Sequence, residues 1–444
     1  MFVFCFFFFL LFFVKKVLYS KLALSRVQRS KSEIIVTKME HLPQEVVSNI
    51  LSRLPSRELL KCKCVCKSWF NLITDPHFIS NYYVFYNKLI YSQNQEENLL
   101  VIRRPFISGI KTYISLLSWS FNDPKTHVSS SLLNLPDEYD SDHKYWTEIM
   151  GPCNGIYFIE GNPNLMMNPS LRQFKALPES HLTDLNLNYS LTDFAGFGFD
   201  PKTNDYKVVV LRDIWLKKTD ERQKGHWTAE LYSLNSNSWR KLEDAALPLP
   251  IEISGSSSRV YTYVNYCSHW WGYVDKYGNI EDVVLAFNMV DESFRKIKGP
   301  EISYSRSSGE CFKTLAPFKE SNTIGAIVYP VRGNEKCFDV WVMKDYLDEG
   351  SWIKQYSVGP VPMISRFIGF YGSSGFLFKD KNEKLVFYEP KYENRKDLQV
   401  CGKHDSIRAV RYMESLVLLQ NGKESSHHCF SCRLVPDHIL NQNE

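Results

Sequence analysis

The sequence predicts a mainly β protein, with a small α-helical N-terminal module followed by a six-bladed β-propeller-like body. Three observations carry this. Residues 42–78 hold apolar side chains at helical spacing, interrupted by prolines. Tyr, Phe and Trp, which favour strands, make up 14% of the chain. Beyond residue 81 a unit of strand, turn and aromatic residue recurs six times.

At 444 residues the chain exceeds one small domain and can bury a sizeable core. The net charge of +4 is unevenly placed. Residues 1–38 hold seven Lys/Arg and one acid, and without them 46 basic and 48 acidic residues remain. The body is therefore near neutral and slightly acidic, and nothing in it suggests a nucleic-acid footprint. The eleven cysteines are scattered, without the spacing of a disulfide framework, and fit a reducing cytosolic or nuclear setting.

Phe2 to Val14 is an unbroken apolar run. At about 1.5 Å per residue it reaches only about 20 Å, short of a hydrocarbon core. Its basic residues follow the run, the reverse of a secretory signal, and only a loose Ala23-Leu24-Ser25 offers a cleavage site. A membrane anchor and a cleaved signal both stand as readings. The preferred one is an extension outside the working fold, with Met39 as a natural start.

In the helical module Pro43 fits a first helical turn. Val46, Val47, Ile50, Leu51 and Leu54 form one stripe at period 3.6. Pro55 stops that helix, and Ser56 is placed to cap the next. Leu59 and Leu60 give the second helix an apolar face, and Val65, Trp69, Leu72 and Ile73 give the third. Asp75-Pro76 restarts a short fourth turn carrying Phe78 and Ile79. Three short helices cannot bury this much apolar surface alone, so the pattern by itself fits either a module that needs a partner or a staple, or a helical lobe of a larger domain. Alternate residues of a helix lie about 200° apart, so Cys62, Cys64 and Cys66 do not converge on a metal.

The body repeats as LSWSFNDPKTHVSSSLLNLP from Leu117, LMMNPSLRQFKALP from Leu165 and AELYSLNSNSWRKL from Ala229. It continues as VLAFNMVDESFRKIKGP from Val284, VWVMKDYLDEGSWIKQYSVGP from Val340 and, more loosely, KLVFYEPKYENRKDLQV from Lys384. Phe174, Trp239, Phe294 and Trp352 mark four of the turns and are expected to pack between blades. Six such units suggest a propeller of small antiparallel sheets, with a pair of β-sandwiches as the alternative. The twin glycines of kelch repeats are absent.

On Leu42-Pro43, Ile50-Leu51, Leu54-Pro55, Leu59, Val65-Cys66-Lys67 with Trp69, and Asp75-Pro76 with Phe78, the module resembles an F-box. The resemblance implies docking onto a Skp-type adaptor, and through it a cullin ubiquitin-ligase scaffold. The residues matching the adaptor-binding pattern are Leu42, Pro43, Val46, Ile50, Leu54, Pro55, Leu59, Val65 and Trp69, and the sequence does not say which face the adaptor and which face the module's own core. Cys62 departs from the pattern, since relatives carry a bulky aromatic there. GFGFDPKTNDYKVV from Gly196 is similar to the F-box-associated domain of plant F-box proteins. FDVWVMKDYLDEGSWIKQYSVGP, FIGFYGSSGFLFKD and CGKHDSIRAVRYMESLVLL resemble the S-locus group among them. That resemblance implies a basic secreted ribonuclease as client in pollen self-incompatibility.

No nucleotide-binding loop, hydrolase elbow or zincin motif is present, nor the paired ligand series of a RING. Cys401-x-x-His404 and Cys429-x-x-Cys432 have zinc half-site spacing. Their places in a family-explained stretch and a tail favour no metal, and no cofactor is expected. The sequence thus predicts a non-catalytic, cytoplasmic or nuclear substrate receptor of an SCF-type ubiquitin ligase. Candidate client loops are Asp213–Trp227, Pro248–Arg259 and Glu301–Glu310. The rivals are an F-box receptor for a defence or developmental client, and a membrane-anchored interaction scaffold.

Overall fold

The computed structural model describes residues 43–419, except 95, 105–111, 121–128, 134, 136–147, 181–188, 217–226, 244–250, 255–259, 277–278, 303–310, 319–321, 373–374 and 404–405. The N-terminal extension with its apolar run, His404, Cys429 and Cys432 lie outside the described residues, as do most of the three candidate client loops. The chain divides into two compact units.

The helical unit contains α1 (Gln44–Leu51), α2 (Ser56–Cys62), α3 (Lys67–Thr74) and α4 (Pro76–Asn94). Val47, Ile50, Leu51 and Leu54 stand at i, i+3, i+4 and i+7, and all are buried. Asp75 caps α4 through its carboxylate, which accepts from the amides of His77 at 2.9 Å and Phe78 at 3.1 Å. The fourth element is a 19-residue helix where the sequence suggested a single turn. Phe78, Tyr82 and Tyr86 stack along its buried side, and this aromatic ladder extends it.

Two remote stretches complete this unit, Asn168–Gln173 and the described part of Met413–Asn421. Leu416 is fully buried in one core with Leu51, Leu59, Trp69 and Tyr82, and Leu171 packs against it. Part of the apolar excess of the short helices is therefore covered by the chain itself. Ser56 does not cap α2 as expected. Pro55 occupies the cap position, Ser56 is the first helical residue, and its amide donates to the Glu414 carboxylate at 2.6 Å.

The second unit is a six-bladed β-propeller. Blade one joins β1 (Glu96–Arg103), β2 (Tyr113–Ser120) and β3 (Ser129–Leu133). Blade two holds β4 (Ile149–Cys153), β5 (Ile156–Ile159), β6 (Leu165–Asn168) and β7 (Gln173–Ala176). Blade three holds β8 (Tyr189–Asp200), β9 (Asp205–Leu216), β10 (Trp227–Ser233) and β11 (Ser238–Lys241). Blade four holds β12 (Glu252–Ile253), β13 (Tyr263–Val264), β14 (Cys267–Lys276), β15 (Asn279–Asn288) and β16 (Ser293–Lys298). Blade five holds β17 (Cys311–Pro317), β18 (Ile324–Pro330), β19 (Glu335–Met343) and β20 (Trp352–Pro362). Blade six holds β21 (Ile364–Tyr371), β22 (Gly375–Asp380), β23 (Lys384–Glu389) and β24 (Asn394–Cys401).

The last strand, β25 (Arg408–Arg411), returns to pair antiparallel with β1, so blade one reads β25-β1-β2-β3. Neighbouring strands then run β25, β4, β8, β14, β17, β21 and back to β25, which closes the ring and removes its open edge. Arg408 on β25 grips Glu148 beside β4 with two bonds of 2.6 and 2.7 Å. Apolar clusters fill the seams between blades, for example Leu99, Val101 and Leu117 against Leu377, Phe387 and Leu398.

Each repeat read from the sequence is the third strand, turn and fourth strand of a blade. Three of these turns share a left-handed residue, and two of them an asparagine that folds back. Asn168 and Asn288 fold back to accept two amides each, and Arg172, Asn237 and Glu292 take left-handed φ of 54°, 52° and 52°. Each left-handed residue stands two places before the marker aromatic.

Candidate functional site

The helical module separates the residues that the sequence left mixed. Ile50, Leu54, Leu59, Val65 and Trp69 are buried in the unit's interior. Pro43, Val46 and Pro55 are exposed, with Val46 retaining 43% of its surface. Leu42 lies outside the described residues. Val46 is outward because it precedes the 47-50-51-54 stripe by one residue, about 100° around the helix. Phe70 was not singled out by sequence, yet it is 49% exposed. Its offset from the buried Trp69 and Ile73 was the available signal. Val46 and Phe70 thus leave apolar surface in solvent on α1 and α3.

Cys62 is fully buried, and burial first, then the charge of Glu58, pushes its thiol up to about 12. The smaller residue is therefore accommodated in the core. Cys64 is exposed and Cys66 intermediate, and no described group of three or more His, Cys, Asp or Glu could hold a metal.

The stretch GFGFDPKTNDYKVV forms the β8–β9 hairpin and its partners. A side chain at Gly196 would meet Trp270 at 2.6 Å, and one at Gly198 would meet Tyr263 at 2.5 Å. Tyr263 Oη accepts from the Phe199 amide at 3.0 Å and donates to its carbonyl at 2.9 Å. Lys207, buried, donates to Asp200 at 2.7 Å, to the Met289 carbonyl at 2.9 Å and to Glu292 at 2.9 Å. Burial alone would raise the Asp200 carboxyl. Hydrogen bonds from Lys207, Thr203 and the Lys202 amide outweigh it and bring it down to about 2. The motif thus ties blade three to blade four through the bonds of Lys207 to Met289 and Glu292 and through two glycine-limited aromatic contacts.

Within the propeller a cavity of about 30 Å³ touches Glu148, Met150, Gly196, Thr262, Ser268 and His269. It admits a water-sized guest. Burial pushes His269 down to about 4, so it is neutral near pH 7. Its Nδ1 lies 3.3 Å from the Thr262 carbonyl and its Nε2 2.9 Å from Tyr346 Oη. A carbonyl only accepts, so Nδ1 carries the proton and Nε2 takes the tyrosine's. Nδ1 anchors the ring within blade four, and Nε2 joins it to Tyr346 of blade five.

The chain thus joins a helical module with outward apolar residues to a closed propeller. The chain belongs to the family described as F-box associated beta propeller domain, whose pattern covers residues 105–436, and residues 39–84 match the F-box-like family. Similar proteins are known from Arabidopsis thaliana. The F-box protein CPR1 is 24% identical over 402 residues, covering 86% of this chain and 89% of that protein. The F-box/kelch-repeat protein At3g23880 is 24% identical over 338 residues, covering 74% and 81%. The F-box protein At3g07870 is 23% identical over 406 residues, covering 82% and 88%.

Proposed function

We propose that this chain is a substrate receptor of an SCF-type ubiquitin ligase. An F-box implies a Skp-type adaptor, and Pro43, Val46, Pro55 and Phe70 are the residues assigned to meet it. The observation that carries this reading is the split of the F-box pattern into a buried set and an exposed apolar set. The propeller holds a client, and a separate ubiquitin-charged enzyme performs the chemistry. The receptor contributes proximity, which raises the effective concentration of client near that enzyme.

The narrower client is a basic secreted ribonuclease met in the cytosol. It rests on the resemblance of residues 338–419 to S-locus F-box proteins and on the slightly acidic body. Co-purification of the full chain with a Skp-type adaptor tests the receptor reading, and failure to form that complex would sink it. Capture of clients from pollen and pistil extracts tests the narrower one. A client set without any ribonuclease removes it and leaves the receptor reading standing.

A further inference from the structure

The segment RYMESLVLL, singled out in the sequence only by resemblance, has a defined place in the helical unit. Glu414 accepts two hydrogen bonds on one carboxylate oxygen, from the Ser56 amide at 2.6 Å and from Tyr82 Oη at 3.0 Å. Tyr82 Oη lies 3.1 Å from the Leu54 carbonyl as well. The Glu414 backbone is held at both ends by Asn87, whose Nδ2 donates to its carbonyl at 3.1 Å and whose Oδ1 accepts its amide at 3.1 Å. Asn168 donates to the carbonyls of Ser415 at 3.3 Å and Val417 at 2.7 Å, and Leu416 is buried in the helical core.

We propose that Glu414 is a positioning residue for adaptor docking, and that Met413–Leu419 is part of the docking module. This rests on the receptor reading above. Pro55 lies in the turn between α1 and α2, between Leu54 and Ser56, the two residues tied to Tyr82 and Glu414. Proline gives that turn no amide, so the first free amide of α2 is that of Ser56. A carboxylate supplied from 358 residues away satisfies it and fixes how the turn presents Pro55. The F-box pattern in residues 39–84 is then necessary for docking but not complete.

The test measures adaptor affinity for the full chain, for Glu414→Ala, for Glu414→Gln, and for chains ending after Tyr412 or after Gln420. Glu414→Ala is expected to weaken binding about tenfold, the scale of a lost charge-assisted hydrogen bond. Glu414→Gln keeps an accepting oxygen and is expected to stay within about threefold. The chain ending after Gln420 binds like the full chain, and the one ending after Tyr412 loses binding. Hydrogen exchange is expected to quicken at Ser56 in Glu414→Ala and not in the propeller strands, which separates positioning from general unfolding. A wild-type chain that binds while Glu414→Ala binds equally well overturns this inference alone. A wild-type chain that does not bind overturns the receptor reading, and this inference with it.

Discussion

The indole N–H of Trp239 donates to the carbonyl of Pro178 at 2.7 Å, across the seam between blades three and two. Trp352 makes the equivalent bond to Lys298 at 3.0 Å, between blades five and four. Pro178 and Lys298 each stand four places after the marker aromatic of their own blade, Phe174 and Phe294. The repeat unit is therefore also a fastening unit: the turn aromatic of one blade closes on the outer strand end of the blade before it.

We predict that Trp239→Phe costs about 1 kcal/mol, the net worth of one hydrogen bond. Trp239→Ala should cost about 3–5 kcal/mol, because the buried ring goes too. Denaturant unfolding of the two variants checks this. Equal losses would mean that the bond to Pro178 contributes nothing beyond packing.

Within the F-box, Val46→Asp should cut adaptor affinity while changing stability by less than about 0.5 kcal/mol, as for other exposed positions. Leu54→Ala should destabilise the chain by about 2–5 kcal/mol, because Leu54 is core. Binding and thermal melts measured on the same samples separate the two effects. A Val46→Asp variant that binds as tightly as wild type would place the contact elsewhere.

The Asp200–Lys207 pair gives an acid signature. The folded carboxyl, at about 2, lies below its ordinary 3.8, so its stabilising contribution is complete above the ordinary value. It is lost as pH falls through about 2. Asp200→Asn should be less stable at pH 7, by about 3 kcal/mol for a broken buried pair. It should also lose stability less steeply than wild type between pH 4 and 2. Parallel pH profiles for the two proteins would contradict this.

Thiol reactivity should follow burial. Cys62 and Cys153, both pushed up to about 12 by burial, are expected to resist iodoacetamide under native conditions. Cys64 and Cys337 are exposed and should label. Peptide mass spectrometry reads this directly, and rapid labelling of Cys62 would show that the helical core opens.

Blades two, three and four were legible in the sequence because the turn between their third and fourth strands carries local signals: a left-handed position with an aromatic two places on, joined in blades two and four by an asparagine that folds back on the turn. The buried stripe of α1 was legible for the same reason, since period 3.6 is local. What stayed hidden was non-local. Ser56 reads as a cap because serine ordinarily is one, and nothing near it announces Glu414. The exposure of Phe70 depended on which face the other helices and Leu416 would cover. Asp200 and Lys207 were visible as part of a motif, but their shared burial required Met289 and Glu292 of the next blade.

The pairing of β25 with β1 has a genetic consequence. A stop codon between the end of β3 and position 408 encodes a first blade whose β1 pairs with β2 alone and keeps a bare inner edge, whatever the fate of the other five. Such alleles would behave as complete losses rather than as shortened receptors, and the misfolded product, with a bare strand edge, would itself become a target for cellular quality control.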